Sequence, residues 1–240
     1  MADELERVRL LLGEENLEKL QKACVLVAGV GGVGSYAAEA FARSGVGKLI
    51  LIDKDKVALS NLNRQIMAEY GTVGENKTEV MKERIGRYCH CEVVCVNEFL
   101  SEENVDLVEG CDFAVDAIDT VSSKIAFYEA CHRHGVPFIS SLGMGNRLDP
   151  TKIEITELMK TSGDPLAKAV RTMARKKDIR FKVPVLISKE LPIKQNTVVD
   201  PDGASRKEQI PPASMIFVPA SAGLAAASYG VRKIIAKENS

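Results

Sequence analysis

Three ionisable side chains fall in a loop, at a helix start and at a strand end. Arg64 lies in Asn61-Leu62-Asn63-Arg64-Gln65, Lys77 opens a charged stretch, and Asp119 closes Asp116-Ala117-Ile118-Asp119. Two cations and an acid at one mouth suit a triphosphate with a divalent ion. Arg64 and Lys77 would stabilise charge while the α–β bond of ATP is attacked, and Asp119 would hold Mg²⁺ against the phosphates. Taken singly, each residue has an ordinary alternative: Arg64 and Lys77 as solvated charges, Asp119 as a helix-start cap.

The mouth is set by Gly29-Val30-Gly31-Gly32-Val33-Gly34, directly after the apolar run 25–28. In such a strand–turn–helix unit, Gly29 permits the tight turn. Gly31, with Gly32 beside it, lets backbone approach a phosphate, and Gly34 lets helix and strand pack closely. The helix N-terminus adds free N–H groups and a partial positive charge. Asp53 stands where a ribose-binding acid would, and Asp55, Asn61 and Gln65 fall at the same mouth. No GxxxxGK[ST] sequence occurs, so the cradle is not of the Walker kind. A dinucleotide diphosphate needs little cationic help beyond the helix dipole, so Arg64 and Lys77 weigh against a nicotinamide dehydrogenase.

The elements that must carry these groups follow from periodicity. Residues 3–23 read as two short helices broken near Gly13. Strands are expected at 24–29, 48–55, 91–96, 112–118 and 136–142, with helices at 32–44, 75–88, 102–109 and 121–134 between them. Ser101 is the candidate cap for the third of these helices. This alternation implies an α/β fold, a doubly wound, mostly parallel Rossmann-like sheet whose ligands sit at the carboxyl ends of the strands. Beyond residue 145 the pattern changes: 152–158 alternates as an antiparallel strand would, 164–177 is helical and basic, and 183–188 is another strand. Residues 194–211 read as a mobile polar loop, and a last helix spans 220–237. The whole, 1–240, is expected to form one domain: a helical arm (1–23), a nucleotide-binding core (24–145) and a substrate-facing extension with antiparallel strands (146–240).

Composition narrows the class. A formal net charge of −1 supplies no global field for nucleic acid, so RNA contact must come from a local patch. Lys168, Arg171 and Arg175 fall at i, i+3 and i+7, and Lys176, Lys177, Arg180 and Lys182 follow; this run is either a solvated face or a phosphate-binding surface. Six cysteines without a CxxC pair argue for reduced thiols rather than disulfides or a zinc site. The N-terminus has no signal-peptide pattern, which fits the cytoplasm. Residues 213–231 carry no charge and are long enough for a bilayer. Their Ala, Ser, Gly and Pro content favours a buried strand–turn–helix instead.

In order and spacing, Gly-Val-Gly-Gly-Val-Gly-Ser, Leu-Ile-Asp-Lys-Asp-Lys-Val, Ser-Asn-Leu-Asn-Arg-Gln-Ile, Val-Gly-Glu-Asn-Lys and Asp-Ala-Ile-Asp-Thr resemble the adenylating superfamily of ubiquitin-activating enzymes and sulfur-carrier adenylyltransferases. The resemblance covers residues 1 to about 145. It implies that Asp53 holds the ribose hydroxyls, Arg64 and Lys77 the phosphates, and Asp119 the Mg²⁺ of ATP. It also implies a homodimer in which Arg9, or else Arg7, reaches the neighbour's phosphates; within one chain Arg9 could equally pair with Glu6 or Glu14. Asp149-Pro150-Thr151 and Lys160-Thr161-Ser162-Gly163-Asp164-Pro165-Leu166 are similar to one branch, the tRNA threonylcarbamoyladenosine dehydratases. That branch adenylates a carboxylate on tRNA adenosine 37 with ATP and cyclises it. The alternative is activation of the C-terminal Gly-Gly of a small sulfur-carrier protein. A sulfur-transfer partner fits either reading, but no CxxC pair and no cysteine after Cys131 is present to support the second. A further alternative, a non-catalytic module that binds ATP and tRNA, would release no pyrophosphate.

Overall fold

The computed structural model describes residues 4–194 and 212–236. Seven strands form one sheet: β1 (Cys24–Ala28), β2 (Lys48–Ile52), β3 (Glu92–Val96), β4 (Phe113–Asp116), β5 (Phe138–Ser141), β6 (Ile153–Glu157) and β7 (Pro184–Ser188). Their order is β3-β2-β1-β4-β5-β7-β6. All neighbours are parallel except β6, which runs antiparallel to β7 at the edge. The expected antiparallel extension is therefore β6 alone, since β7 continues the parallel sheet beside β5. The chain leaves β1 in one direction through β2 and β3, then returns to place β4 on the other side of β1. This reversal opens a crevice at the carboxyl ends of β1 and β4, where open α/β sheets bind ligands.

The strands are buried on both faces because helices cover both. On one side α3 (Gly34–Arg43), α4 (Lys77–Gly86) and α7 (Phe217–Ile235) close a core with Phe41, Leu49, Phe113 and Ile139. On the other, α5 (Val121–Arg133) and α6 (Pro165–Lys176) bury Leu26, Phe127, Tyr128 and Phe138. The arm forms α1 (Glu6–Leu12) and α2 (Glu14–Lys22), broken at Gly13 as its sequence implies.

Two expectations need correction. Residues 102–109 do not form an α-helix; only a 3-10 turn at Val105–Val108 is present. Asn104 takes the place of helix bonds: its Oδ1 accepts from Ser101 N at 2.9 Å, and its Nδ2 donates to the Phe99 carbonyl at 3.0 Å. The uncharged segment 213–231 holds no strand before its helix. Ala213 instead exchanges two hydrogen bonds with Asn146, one through backbone and one through the Asn146 side chain. Its helix, α7, is apolar because it packs on α3, burying Val218, Ala222, Ala226, Gly230 and Ile234 at four-residue intervals. A Cβ on Gly230 would lie 2.6 Å from the Phe41 ring. Among the described residues, no helix is long and apolar enough to cross a membrane. The expected mobile loop falls almost entirely on residues 195–211, outside the described residues.

Candidate active site

The crevice is a cleft of about 450 Å³. Gly29, Gly31, Asp53, Asp55, Asn61, Arg64, Gln65, Lys77 and Asp119 all line it, so residues spread over 91 positions of sequence converge at one place. The glycine turn has the predicted geometry. Gly29 sits at φ +87°, and a Cβ there would lie 2.7 Å from the Ala117 carbonyl. A Cβ on Gly34 would strike the Gly29 carbonyl, so that glycine permits helix-to-turn packing. Gly31 has open space on its Cα, the cleft side, with only Gln65 Nε2 within 4 Å at 3.9 Å. Gly32 lies instead against Pro219 of α7, at 3.2 Å, and does not line the cleft.

Asp53, at the end of β2, is fixed by backbone donors. Its Oδ2 accepts from Val30 N at 2.7 Å and its Oδ1 from Asp55 N at 2.8 Å. Burial pushes its carboxyl above the ordinary range, against the opposing pull of Lys77 and these N–H groups. Lys77 is almost fully buried and donates to Asp55 at 3.0 Å, with Asp53 at 4.0 Å. Its charge is thus shared with two acids before any ligand arrives. Arg64 is half-buried, with Nη1 donating to the Ser60 carbonyl at 2.6 Å and to Asn63 at 3.0 Å. Asn61 shapes that loop by accepting from Ala58 N at 3.0 Å. Gln65 Oε1 is a buried side-chain oxygen without a hydrogen-bond partner, an acceptor left over at the wall of the cleft.

Asp119 is exposed at the rim, where its one hydrogen bond among the described residues is accepted from Thr120 Oγ1 at 3.4 Å. It does not cap α5 through a side-chain bond. Its loop is anchored from below. Asp116 Oδ1 accepts from Ile118 N at 3.0 Å, while Oδ2 takes Lys124 Nζ at 2.8 Å and Ser140 Oγ at 2.6 Å. Lys124 also donates to the Ser141 carbonyl at 2.7 Å, and Tyr128 bonds Ser140 at 2.6 Å. This network is not legible in the sequence, because a lysine inside a helix reads as solvent-facing. Glu98, Phe99 and Leu100, after β3, form a further wall that sequence reasoning missed. Position at the carboxyl end of a parallel strand was the available signal.

Arg9 lies outside the cleft lining and pairs with Glu14 at 2.8 Å within its own arm. Of the basic run, Lys168, Arg175, Lys176, Lys177, Arg180 and Lys182 are exposed, whereas Arg171 is half-buried and bonds Thr161. All six cysteines are free thiols.

The ThiF family pattern matches residues 5–207. The chain belongs to the ThiF family. Within that family it is 42% identical over 243 aligned positions to the tRNA threonylcarbamoyladenosine dehydratase of Bacillus subtilis, covering 98% of this chain and 96% of that one. The crystal structure of E. coli tRNA N6-threonylcarbamoyladenosine dehydratase, TcdA, in complex with ATP superposes with a TM-score of 0.86 at 35% identity, covering 97% and 94% of the two chains. A sulfur-carrier branch of the ThiF family is more distant: molybdopterin-synthase adenylyltransferase of Salmonella typhimurium is 37% identical over 128 residues, 52% of this chain and 51% of that one.

Proposed function

We propose that this chain is an ATP-dependent dehydratase that adenylates the carboxylate of threonylcarbamoyladenosine at tRNA position 37 and closes it into a ring. The observation that carries this reading is the full-length likeness to proteins named for that activity, one of them solved with ATP, joined to a cleft whose cations and acids suit a triphosphate. The matched sulfur-carrier relative aligns over only about half of the chain.

In this reading ATP lies over the glycine turn. Asp53 keeps lone pairs for the ribose hydroxyls while its backbone donors hold it still. Phe99 and Leu100 offer an apolar wall to the base. Arg64 exchanges the Ser60 carbonyl for phosphate oxygens, and Lys77 shares its charge between Asp55 and the phosphates. Asp119 is the residue that would hold Mg²⁺. It is an acid beside an anion site with no protein cation bonded to it, and no cluster of three metal-binding side chains competes among the described residues. Mg²⁺ held by Asp119 would supply positive charge that lowers the repulsion between the phosphates and an incoming carboxylate.

The substrate carboxylate oxygen attacks the α-phosphorus, and the bond to pyrophosphate breaks. Arg64 and Lys77 stabilise the charge that accumulates on the phosphates. A carbamoyl heteroatom of the same modification then attacks the activated carbonyl and loses its proton. AMP leaves with the carboxylate oxygen, so the RNA has lost one water in net terms. Arg9 would be supplied by the second copy of a homodimer. Substrates that are ATP and tRNA support a cytoplasmic setting for the reaction. Incubation with ATP, Mg²⁺ and tRNA bearing the open modification, followed by nucleoside mass analysis, is expected to show the dehydrated product. An unchanged nucleoside mass would refute the assignment.

A further inference from the structure

Beside the loop that carries Asp119 lies a second cavity, of about 370 Å³. It shares Ala117, Ile118 and Asp119 with the nucleotide cleft, so the two meet across a three-residue wall. Its lining is largely apolar, with Leu142, Met144 and Leu166 facing Pro192 and Pro212. Its charges cancel. Arg147 and Asp164 pair at 2.9 Å with side chains only 2% and 1% exposed. Arg147 also donates to the carbonyls of Gly143, Gly145 and Glu190, and Asp164 caps α6 by accepting from Ala167 N at 2.7 Å. This pair therefore locks the loop after β5, the end of β7 and the start of α6 into one rigid wall. A Cβ on Gly143 would collide with Asp164, and one on Gly145 would lie 2.8 Å from Pro212. Ser141 offers a hydroxyl whose hydrogen bond, to the Leu142 carbonyl, is long at 3.4 Å.

Resting on the dehydratase reading, we infer that this cavity is the acceptor pocket that seats the amino-acid side chain of the substrate. A pocket whose own ion pair is neutral and saturated has no charge to offer a carboxylate. The carboxylate finds its cations only across the shared wall, on the Arg64 side. A small side chain bearing a methyl and a hydroxyl fits the second cavity, with Ser141 available to the hydroxyl and Leu166 to the methyl. The division of polarity between the cavities thus turns the carboxylate toward the α-phosphate.

The test uses the full chain with Leu166→Trp, which fills the pocket, and Leu166→Ala, which enlarges it. Each is assayed on tRNA carrying threonylcarbamoyl- or glycylcarbamoyl-adenosine, beside ATP binding. Leu166→Trp is expected to leave ATP affinity within about twofold and to lower kcat/KM on the threonyl substrate by about tenfold or more, the usual scale for a misfitted apolar group. Leu166→Ala, which also serves if the larger side chain prevents folding, is expected to reduce the preference for threonyl over glycyl several-fold. Unchanged kcat/KM and unchanged preference would overturn the inference, as would loss of ATP binding in parallel with turnover in Leu166→Trp. If the wild-type chain dehydrates neither tRNA, the dehydratase reading itself fails, and that outcome is separate from either variant's result.

Discussion

Arg64 and Asp119, the two charges proposed to act on the phosphates, are held by few bonds of their own. Among the described residues, Arg64 bonds one carbonyl and one amide of its own loop, and Asp119 bonds its neighbour. Neither supports the core, so Arg64→Ala and Asp119→Ala should change stability by no more than about 0.5 kcal/mol. Turnover on modified tRNA should fall about 10²–10³-fold in each, the usual loss when one charge-stabilising group is removed. Thermal unfolding beside single-turnover product formation separates the two effects; loss of stability in step with activity would contradict the assignment. Residues whose role is set by backbone geometry were legible in sequence: Gly29, Gly34 and Asp53 lie where a strand–turn–helix unit demands them. Side-chain pairings were not. That Lys77 is claimed by Asp55, or Arg147 by Asp164, depends on distances between segments that periodicity does not encode.

Helices and strands were legible where local and tertiary preferences agree, and illegible where polar side chains compete for the backbone, as Asn104 does after β3. The link between α3 and α4 shows a further kind of information hidden from sequence. Glu39 of α3 accepts from Arg84 at 2.9 Å, Tyr88 at 2.8 Å and Arg43 at 2.7 Å. Burial alone would raise its carboxyl, yet these donors hold it below the ordinary range, while burial and the bond donated to Glu39 push the Tyr88 phenol up. A depressed folded-state value means stability that is fully present above the unfolded value and lost as pH falls through the folded one. Glu39→Gln should therefore cost about 1.5–3 kcal/mol at neutral pH. Denaturant titrations should show the gap between variant and wild type closing as pH drops below the usual glutamate range. A gap independent of pH would assign the loss to packing. On α6, Arg175 and Lys176 are exposed and form no ion pair among the described residues. Replacing both by glutamine should weaken tRNA binding and lower its salt dependence by about one unit of slope per lost phosphate contact. An unchanged slope would leave them as a solvated face.

At the scale of the whole molecule, the cleft of this chain is not lined by the arm cation that the family resemblance implies, and the arm carries apolar surface that the described residues leave exposed. Leu10 and Leu11 of α1 are 78% and 82% exposed. Adjacent exposed leucines on a short helix fit an interface, and a second copy placed by a two-fold axis would exchange arms reciprocally. Arg9 would then leave Glu14 for the neighbour's phosphates. This makes a prediction that no single-chain account shares. Protomers carrying Arg9→Ala are mixed in equal amounts with protomers carrying Asp119→Ala, after unfolding and refolding together. If the arm acts in trans, half of the dimers are mixed and each contains one intact site, formed by the Asp119-bearing core of one protomer and the Arg9-bearing arm of the other. Activity should return to about a quarter of wild type under random two-fold pairing, although each variant alone is nearly inactive. If Arg9 acts in cis, the mixed dimer holds no intact site and the mixture stays as inactive as its parts.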